Sequence, residues 1–183
     1  MRKQKKSMLV LAIIVAFVAT ALLLPGLIGA GKPEPNGPPN PRFTDNGNGT
    51  VTDNLTGLIW LKNANCFGTK EWDDAMDKVA ALHTGECGLT DGSSEGDWRL
   101  PTKEEWEAFV DTNYFNPALS NAAGTGKWSE GDAFNNVQSY YHWSRTTYEA
   151  HRNHAWHVYM YNGGLYYYYK TFSYYVWPVR GGN

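Results

Sequence analysis

Three histidines spaced by three, His151, His154 and His157, are the first residues in this sequence whose type and spacing suggest chemistry. A zinc site needs imidazoles that converge with further donors. On a strand, a spacing of three sends successive side chains to opposite faces, and no Cys or carboxylate joins them, so no metal is implied. Glu104 and Glu105 are paired carboxylates, but neighbours diverge on a helix and no base accompanies them. They belong to a solvated helix start. Asp45, Asn48 and Asp53 outline a calcium loop, yet Gly47 and Gly49 stand where such a loop requires oxygen ligands. Turn chemistry accounts for them better.

The dominant chemical feature is aromatic. Eleven of the twelve Tyr and four of the five His fall between Tyr140 and Tyr175, so this stretch differs in kind from the rest of the chain. Taken as a strand, the segment from His154 places Trp156, Val158 and Met160 with His154 on one apolar face. Ala155, His157, Tyr159 and Tyr161 share the other face. Asn162-Gly163-Gly164 signals a turn, Leu165 to Lys170 returns as a second strand, and Tyr175 to Val179 makes a third. Tyr166 to Tyr169 are four consecutive tyrosines, which make both faces of their strand alike. A half-buried strand needs its faces to differ, so folding alone does not explain the run. Tyrosine offers large, rigid contact area and a hydroxyl at low entropic cost, and an exposed cluster of this kind marks an interaction surface.

The elements that position this surface precede it. Phe43 to Asp53 carries Gly and Asn at its centre and strand formers on either side, which predicts a hairpin with positive φ at the turn. Leu58 to Leu61 continues as a buried strand. From Glu71 to His83, Trp72, Ala75, Met76, Val79, Ala80 and Leu82 recur at helical spacing, which predicts an amphipathic helix packed on a sheet. A second helix starts at Pro101-Thr102, with Thr102 and Glu105 as a capping box, and runs through Trp106, Phe109 and Val110. Cys66 and Cys87 are an even count in a chain with an export signal, which predicts a disulfide.

The first 30 residues hold no acid. Arg2, Lys3, Lys5 and Lys6 precede an uncharged run from Met8 to Leu24, followed by Gly29-Ala30. This is an export signal, either cleaved near Ala30 or kept as an anchor, so a membrane contact through residues 8–30 stays open. Residues 31–41 hold five of the nine prolines and form a stiff spacer. That leaves residues 42–183 as one domain on an exported chain, at the cell surface, in the periplasm or secreted. Beyond residue 30 the chain carries 12 Lys/Arg against 18 Asp/Glu, a balance of −6. An acidic domain without a basic cluster is not built to bind nucleic acid.

Four motifs in order, Phe43-TDNGNGTVTDNLTGLIW-Leu61, Gly96-DWRLPTKEEWEAF-Phe109, Tyr141-HWS-Ser144 and Tyr175-VWPVR-Arg180, resemble the domain at the C-terminus of the Legionella collagen-like protein. Arg99-Leu-Pro-Thr-x-x-Glu-Trp106 is also similar to the formylglycine-generating enzyme superfamily. Together the resemblances imply a C-type-lectin-like α+β fold, with two helices packed on small antiparallel sheets and ligands carried on the C-terminal surface. The enzyme family depends on Cys in its C-terminal half, whereas both Cys here lie before residue 90. A non-catalytic protein without a cofactor is the expectation.

The tail further resembles the variable region of proteins diversified by retroelements, where Asn codons are copied with errors at adenines. Residues reachable in this way are His151, Asn153, His154, His157, Tyr159, Tyr161, Asn162, Leu165, Tyr166, Tyr167, Tyr168, Tyr169, Phe172, Ser173 and Tyr174. Arg145, His142 and Gly164 are further positions of this kind. Trp156, Val158, Met160, Lys170 and the terminal Val-Trp-Pro-Val-Arg form the invariant frame. The resemblance implies that Arg145 and the fifteen residues above contact an unidentified protein or glycan on a cell or particle surface. The rival reading is an adhesin of fixed specificity for polysaccharide or extracellular matrix.

Overall fold

Short strand-favouring runs separated by glycine turns dictate the first sheet. In the computed structural model, which describes residues 39–181, Phe43–Asp45 (β1) and Thr50–Asp53 (β2) form the expected antiparallel hairpin. Gly47 and Gly49 adopt φ of 72° and 85° in its turn. A Cβ at Gly49 would also collide with the main chain at Gly88 and Leu89, so this glycine serves packing as well as turning. Ile59–Leu61 (β3) pairs with β2 on one side and with Val179–Arg180 (β9) on the other, giving the sheet order β1-β2-β3-β9. Both ends of the domain are thus tied into one sheet.

The second sheet carries the tyrosines. Its strands are Thr69–Lys70 (β4), Tyr141–Thr147 (β5), His154–Tyr159 (β6), Gly164–Tyr169 (β7) and Tyr174–Tyr175 (β8), in the order β4-β8-β5-β6-β7. Pairing is antiparallel except between β5 and β8, which meet in parallel at His142 and Tyr175. The expected single strand from Tyr175 to Val179 is in fact divided between the two sheets. Val176 and Trp177 are buried between β8 and β9, and Pro178 has no N–H to continue a ladder. The chain therefore leaves one sheet and enters the other across this buried link.

Helix α1 spans Trp72–Ala80, shorter than the Glu71–His83 expected, because Leu82 N–H closes a tighter turn on the Val79 carbonyl and its side chain is buried beyond the helix end. Helix α2 spans Lys103–Phe109 and has the expected capping box, with Thr102 Oγ1 accepting from Glu105 N–H and Glu105 accepting from Thr102 N–H. Arg99 grips the same Glu105 through both carboxylate oxygens at 2.7 and 2.6 Å and also donates to the Gly181 carbonyl. The Arg-Leu-Pro-Thr-x-x-Glu motif thus locks the start of α2 to the terminal strand.

The core centres on Trp177. Its ring lies against Trp60 from β3, Trp106 and Phe109 from α2, Phe134, and His142 from β5, so one side chain joins both sheets and a helix. Its Nε1 donates to the Leu61 carbonyl at 2.8 Å. Arg42 and Asp53 form a buried two-pronged ion pair at 2.7 and 3.0 Å, and Arg42 also donates to the Ala108 and Phe109 carbonyls at the end of α2. Cys66 and Cys87 are joined as a disulfide across 21 residues, a loop whose closure contributes about 3 kcal/mol. The expected export segment at residues 1–30 and the expected spacer up to residue 38 lie outside the described residues. Among the described residues no helix is long and apolar enough to cross a membrane.

Candidate functional site

Register decides which aromatic side chains meet. Tyr141 pairs with Tyr159, Trp143 with His157, His157 with Tyr166, and Ala155 with Tyr168, so these residues share one face of the second sheet. The alternate residues His142, Trp156, Val158, Leu165, Tyr167 and Tyr169 share the other. The tyrosine run accordingly supplies two rings to each face, and all four remain 41–48% exposed.

On the first face the rings enclose a groove of about 670 Å³. Its lining combines His157 and Tyr159 from β6, Tyr166 and Tyr168 from β7, and Asn162 from the turn between them, and Tyr167 borders it although its ring stacks on Tyr148 on the opposite face. Phe172, Tyr174, Tyr140 and Tyr141 complete it. Tyr141 is the hub, with ring centroids at 4.6 Å from Tyr159, 4.9 Å from His157 and 5.0 Å from Tyr174. Phe172 closes one end against Tyr168 at 4.5 Å. Among the described residues no charged side chain lines the groove. Its walls offer ring faces, phenol hydroxyls, one amide and one imidazole, a set suited to stacking and neutral hydrogen bonding.

The floor is buried more deeply than a face of tyrosine and histidine suggests. His157 is only 3% exposed, and its Nδ1 has no hydrogen-bond partner among the described residues. Burial lowers its pKa to about 4, so the ring is neutral at pH 7. Burial, followed by the nearby Tyr141, Tyr168 and Tyr140, pushes the Tyr174 hydroxyl up to about 12. His142, on the opposite face between Trp106 and Trp177, is wholly buried and likewise lowered to about 4 by that burial. It is a core residue, not a surface position.

The other face bears a second, shallower aromatic platform. Tyr148 and Tyr167 stack at 3.8 Å with their planes 9° apart, and both lie near Trp156, which is only half-buried and carries the Lys103 ammonium over its ring at 4.6 Å. Trp156 is therefore less of a core residue than its place on an apolar face predicted. His154 lies 4.1 Å from Tyr169 at the end of the same hairpin. The three histidines diverge, since His151 and His154 are near each other at 5.6 Å while His157 is buried under the opposite face. Among the described residues no three His, Cys, Asp or Glu are placed to hold a metal ion.

The sixteen ligand-contact residues named from the sequence thus fall into several places. His157, Tyr159, Asn162, Tyr166, Tyr167, Tyr168, Phe172 and Tyr174 are brought together in the groove. Tyr161 stacks on Tyr159 just outside the lining, and His154 and Tyr169 belong to the other face. His151, Asn153 and Ser173 are exposed in the connecting loops, and Leu165 packs partly against the core. Arg145 is exposed in a bulge of β5, where its N–H bonds to the Pro101 carbonyl, and it does not line the groove. Sequence reasoning missed Tyr140, Tyr141 and Tyr148 as members of the aromatic surface. The signal for them was the same tyrosine density, with Tyr141 opening one of the four motifs that carry the family resemblance.

Residues 49–180 match the model of the Lcl C-terminal domain. The chain belongs to that family. The match runs from the β1–β2 turn to the last strand, so the groove lies wholly inside the Lcl C-terminal domain and Arg42 just outside the matched range. No curated protein and no solved structure matches this chain.

Proposed function

We propose that this Lcl C-terminal domain is the binding part of an exported, non-catalytic surface protein, and that the β6–β7 groove with its flanking loops recognises a protein or glycan on a cell or particle. The observation that carries this is the neutral groove walled by tyrosine rings on a strand where folding does not require them. Family membership supports a surface or secreted location. The export segment at residues 1–30 is part of the same proposal. The architecture is C-type-lectin-like in this reading, with terminal strands paired in one sheet, two helices, and the ligand surface on a second sheet.

The groove residues are, in this reading, varied by a retroelement. Burial supports a division between a fixed frame and replaceable positions. Val158, Met160, Val176, Trp177 and Val179 are buried, while His151, Asn153, Tyr161, Asn162, Tyr166 to Tyr169, Phe172 and Ser173 are exposed. Two residues favour the rival, a fixed-specificity adhesin: His157 and Tyr174 belong to the replaceable set yet are buried in the groove floor. Sequencing the 3′ end of the gene with its flanking DNA across many cells of one lineage decides between them. Diversification gives mismatches against a nearby repeat confined to template adenines in these codons. Constant codons and no repeat leave the adhesin.

A further inference from the structure

The last strand of the second sheet is unguarded. Strand β7 lies at the edge of the order β4-β8-β5-β6-β7, with β6 on one side and no strand on the other among the described residues. Lys170 N–H bonds to the Asn153 carbonyl, and the β6–β7 register pairs residues two apart from there. In an antiparallel ladder, hydrogen-bonded pairs alternate with pairs whose N–H and C=O point away. Gly164, Tyr166 and Tyr168 therefore turn their main-chain groups toward β6, and Leu165, Tyr167 and Tyr169 turn theirs outward. Of the outward groups only the Tyr169 carbonyl is used, accepting from Phe172 N–H, among the described residues.

Natural sheets protect such edges with proline, inward charges, bulges or very short strands. Strand β7 has six residues, no charge, no proline and an unbroken register with β6. Either side of this edge has a receptacle for side chains: the groove of Tyr166, Tyr168 and Phe172 on one face, and the Tyr148–Tyr167 stack on the other. The charge pattern adds a direction. Gly164 to Tyr169 and the groove are uncharged, whereas a hollow beside the C-terminal end of β7 is lined by Arg152, Lys170 and Glu149, two cations against one carboxylate.

We infer that the ligand recognised by this domain is an extended polypeptide of a partner protein, added as a strand to the β7 edge, with alternate apolar side chains on the two aromatic faces and an acidic residue at the Arg152–Lys170 end. This rests on the binding reading above and names the ligand class for it. Main-chain bonds supply affinity in strand addition and side-chain pockets supply selectivity. That division suits a strand whose side chains are replaceable, because the edge N–H and C=O groups persist whatever residues β7 carries.

The test starts with the full chain panned against a phage-displayed library of random dodecapeptides, and in parallel against an array of neutral and sulfated glycans. Peptides enriched in alternating apolar residues with an acidic end are expected. Each selected peptide is then resynthesised with single N-methyl groups at successive residues, which leaves the protein untouched. Strand addition gives losses of about tenfold or more at every second residue and little between them. Tyr167→Pro removes an outward N–H without touching the β6 ladder, and should weaken binding well beyond Tyr167→Ala. Sensitivity without a period of two, or equal losses for the two Tyr167 variants, overturns the inference. Glycan binding without peptide enrichment overturns it and leaves the binding function standing. Failure of both panels sinks both readings. A dimer in light scattering that Tyr167→Pro dissociates assigns the edge to a second copy and likewise overturns it.

Discussion

Tyr168 and Tyr174 are the same residue type within one groove, but their burial gives them different work. Tyr168 is 41% exposed and Tyr174 8%, with Tyr174 packed on Trp143 at 4.5 Å and on His157 at 4.8 Å. Tyr174→Ala should lower unfolding stability by about 3 kcal/mol through the lost contacts and the cavity beneath. Tyr166→Ala and Tyr168→Ala should each change stability by less than about 1 kcal/mol. Urea midpoints of the purified variants check this. Equal losses at all three positions would mean that the tyrosine run is structural. Counting residue types finds the surface, but only burial separates its anchors from its floor.

Arg42 shows what an element boundary depends on. It closes the β1–β2 hairpin onto the C-terminal end of α2 through the fully buried Asp53 and the Ala108 and Phe109 carbonyls, with its own side chain buried as well. A cation is favoured at the negative end of a helix. Arg42→Met removes that cation and leaves the Asp53 carboxylate buried without its partner, at a cost of about 3 to 5 kcal/mol. The double variant Arg42→Met, Asp53→Leu should recover most of that loss. Thermal unfolding of the wild type, the single and the double variant tests the pair. The capping box of α2 was legible in the sequence because its partners lie three residues apart. The Arg42 contact was not, since its acceptors lie 66 and 67 residues away.

At the scale of the whole molecule, two buried histidines make stability depend on pH. His142 and His157 have pKa values of about 4 when folded, against 6.5 for a free imidazole. Aromatic rings surround both, Trp106, Tyr175 and Trp177 for His142 and Tyr141, Trp143, Tyr166 and Tyr174 for His157, and none supplies a counter-charge. The unfolded chain binds protons below pH 6.5 and the folded chain only near 4, so stability is complete above about pH 6.5 and falls as the pH drops toward 4. Each histidine accounts for about 3 kcal/mol of that loss. Denaturation at pH 7.5 and pH 4.5 should show the fall, and His157→Gln should reduce it by about half. A flat profile would mean that neither ring is neutral in the fold.

Local chemistry made much of this protein legible from its residues. The glycine-centred hairpin, the capped helix, the pairing of the two cysteines and the concentration of tyrosine in the tail each depend on residues close in sequence or on a count. Tertiary structure alone decided how the tail is divided. The same period of two that alternates side chains on β6 and β7 says nothing about which face the rest of the chain will cover. The fold buried His157 and Tyr174 as a floor, brought Tyr140 and Tyr141 from β5 and the loop before it into the wall, and set Arg145 aside in a bulge. It also placed β7 at the sheet edge. Strand order is set by long-range pairing, and no residue within β7 encodes which neighbour it lacks.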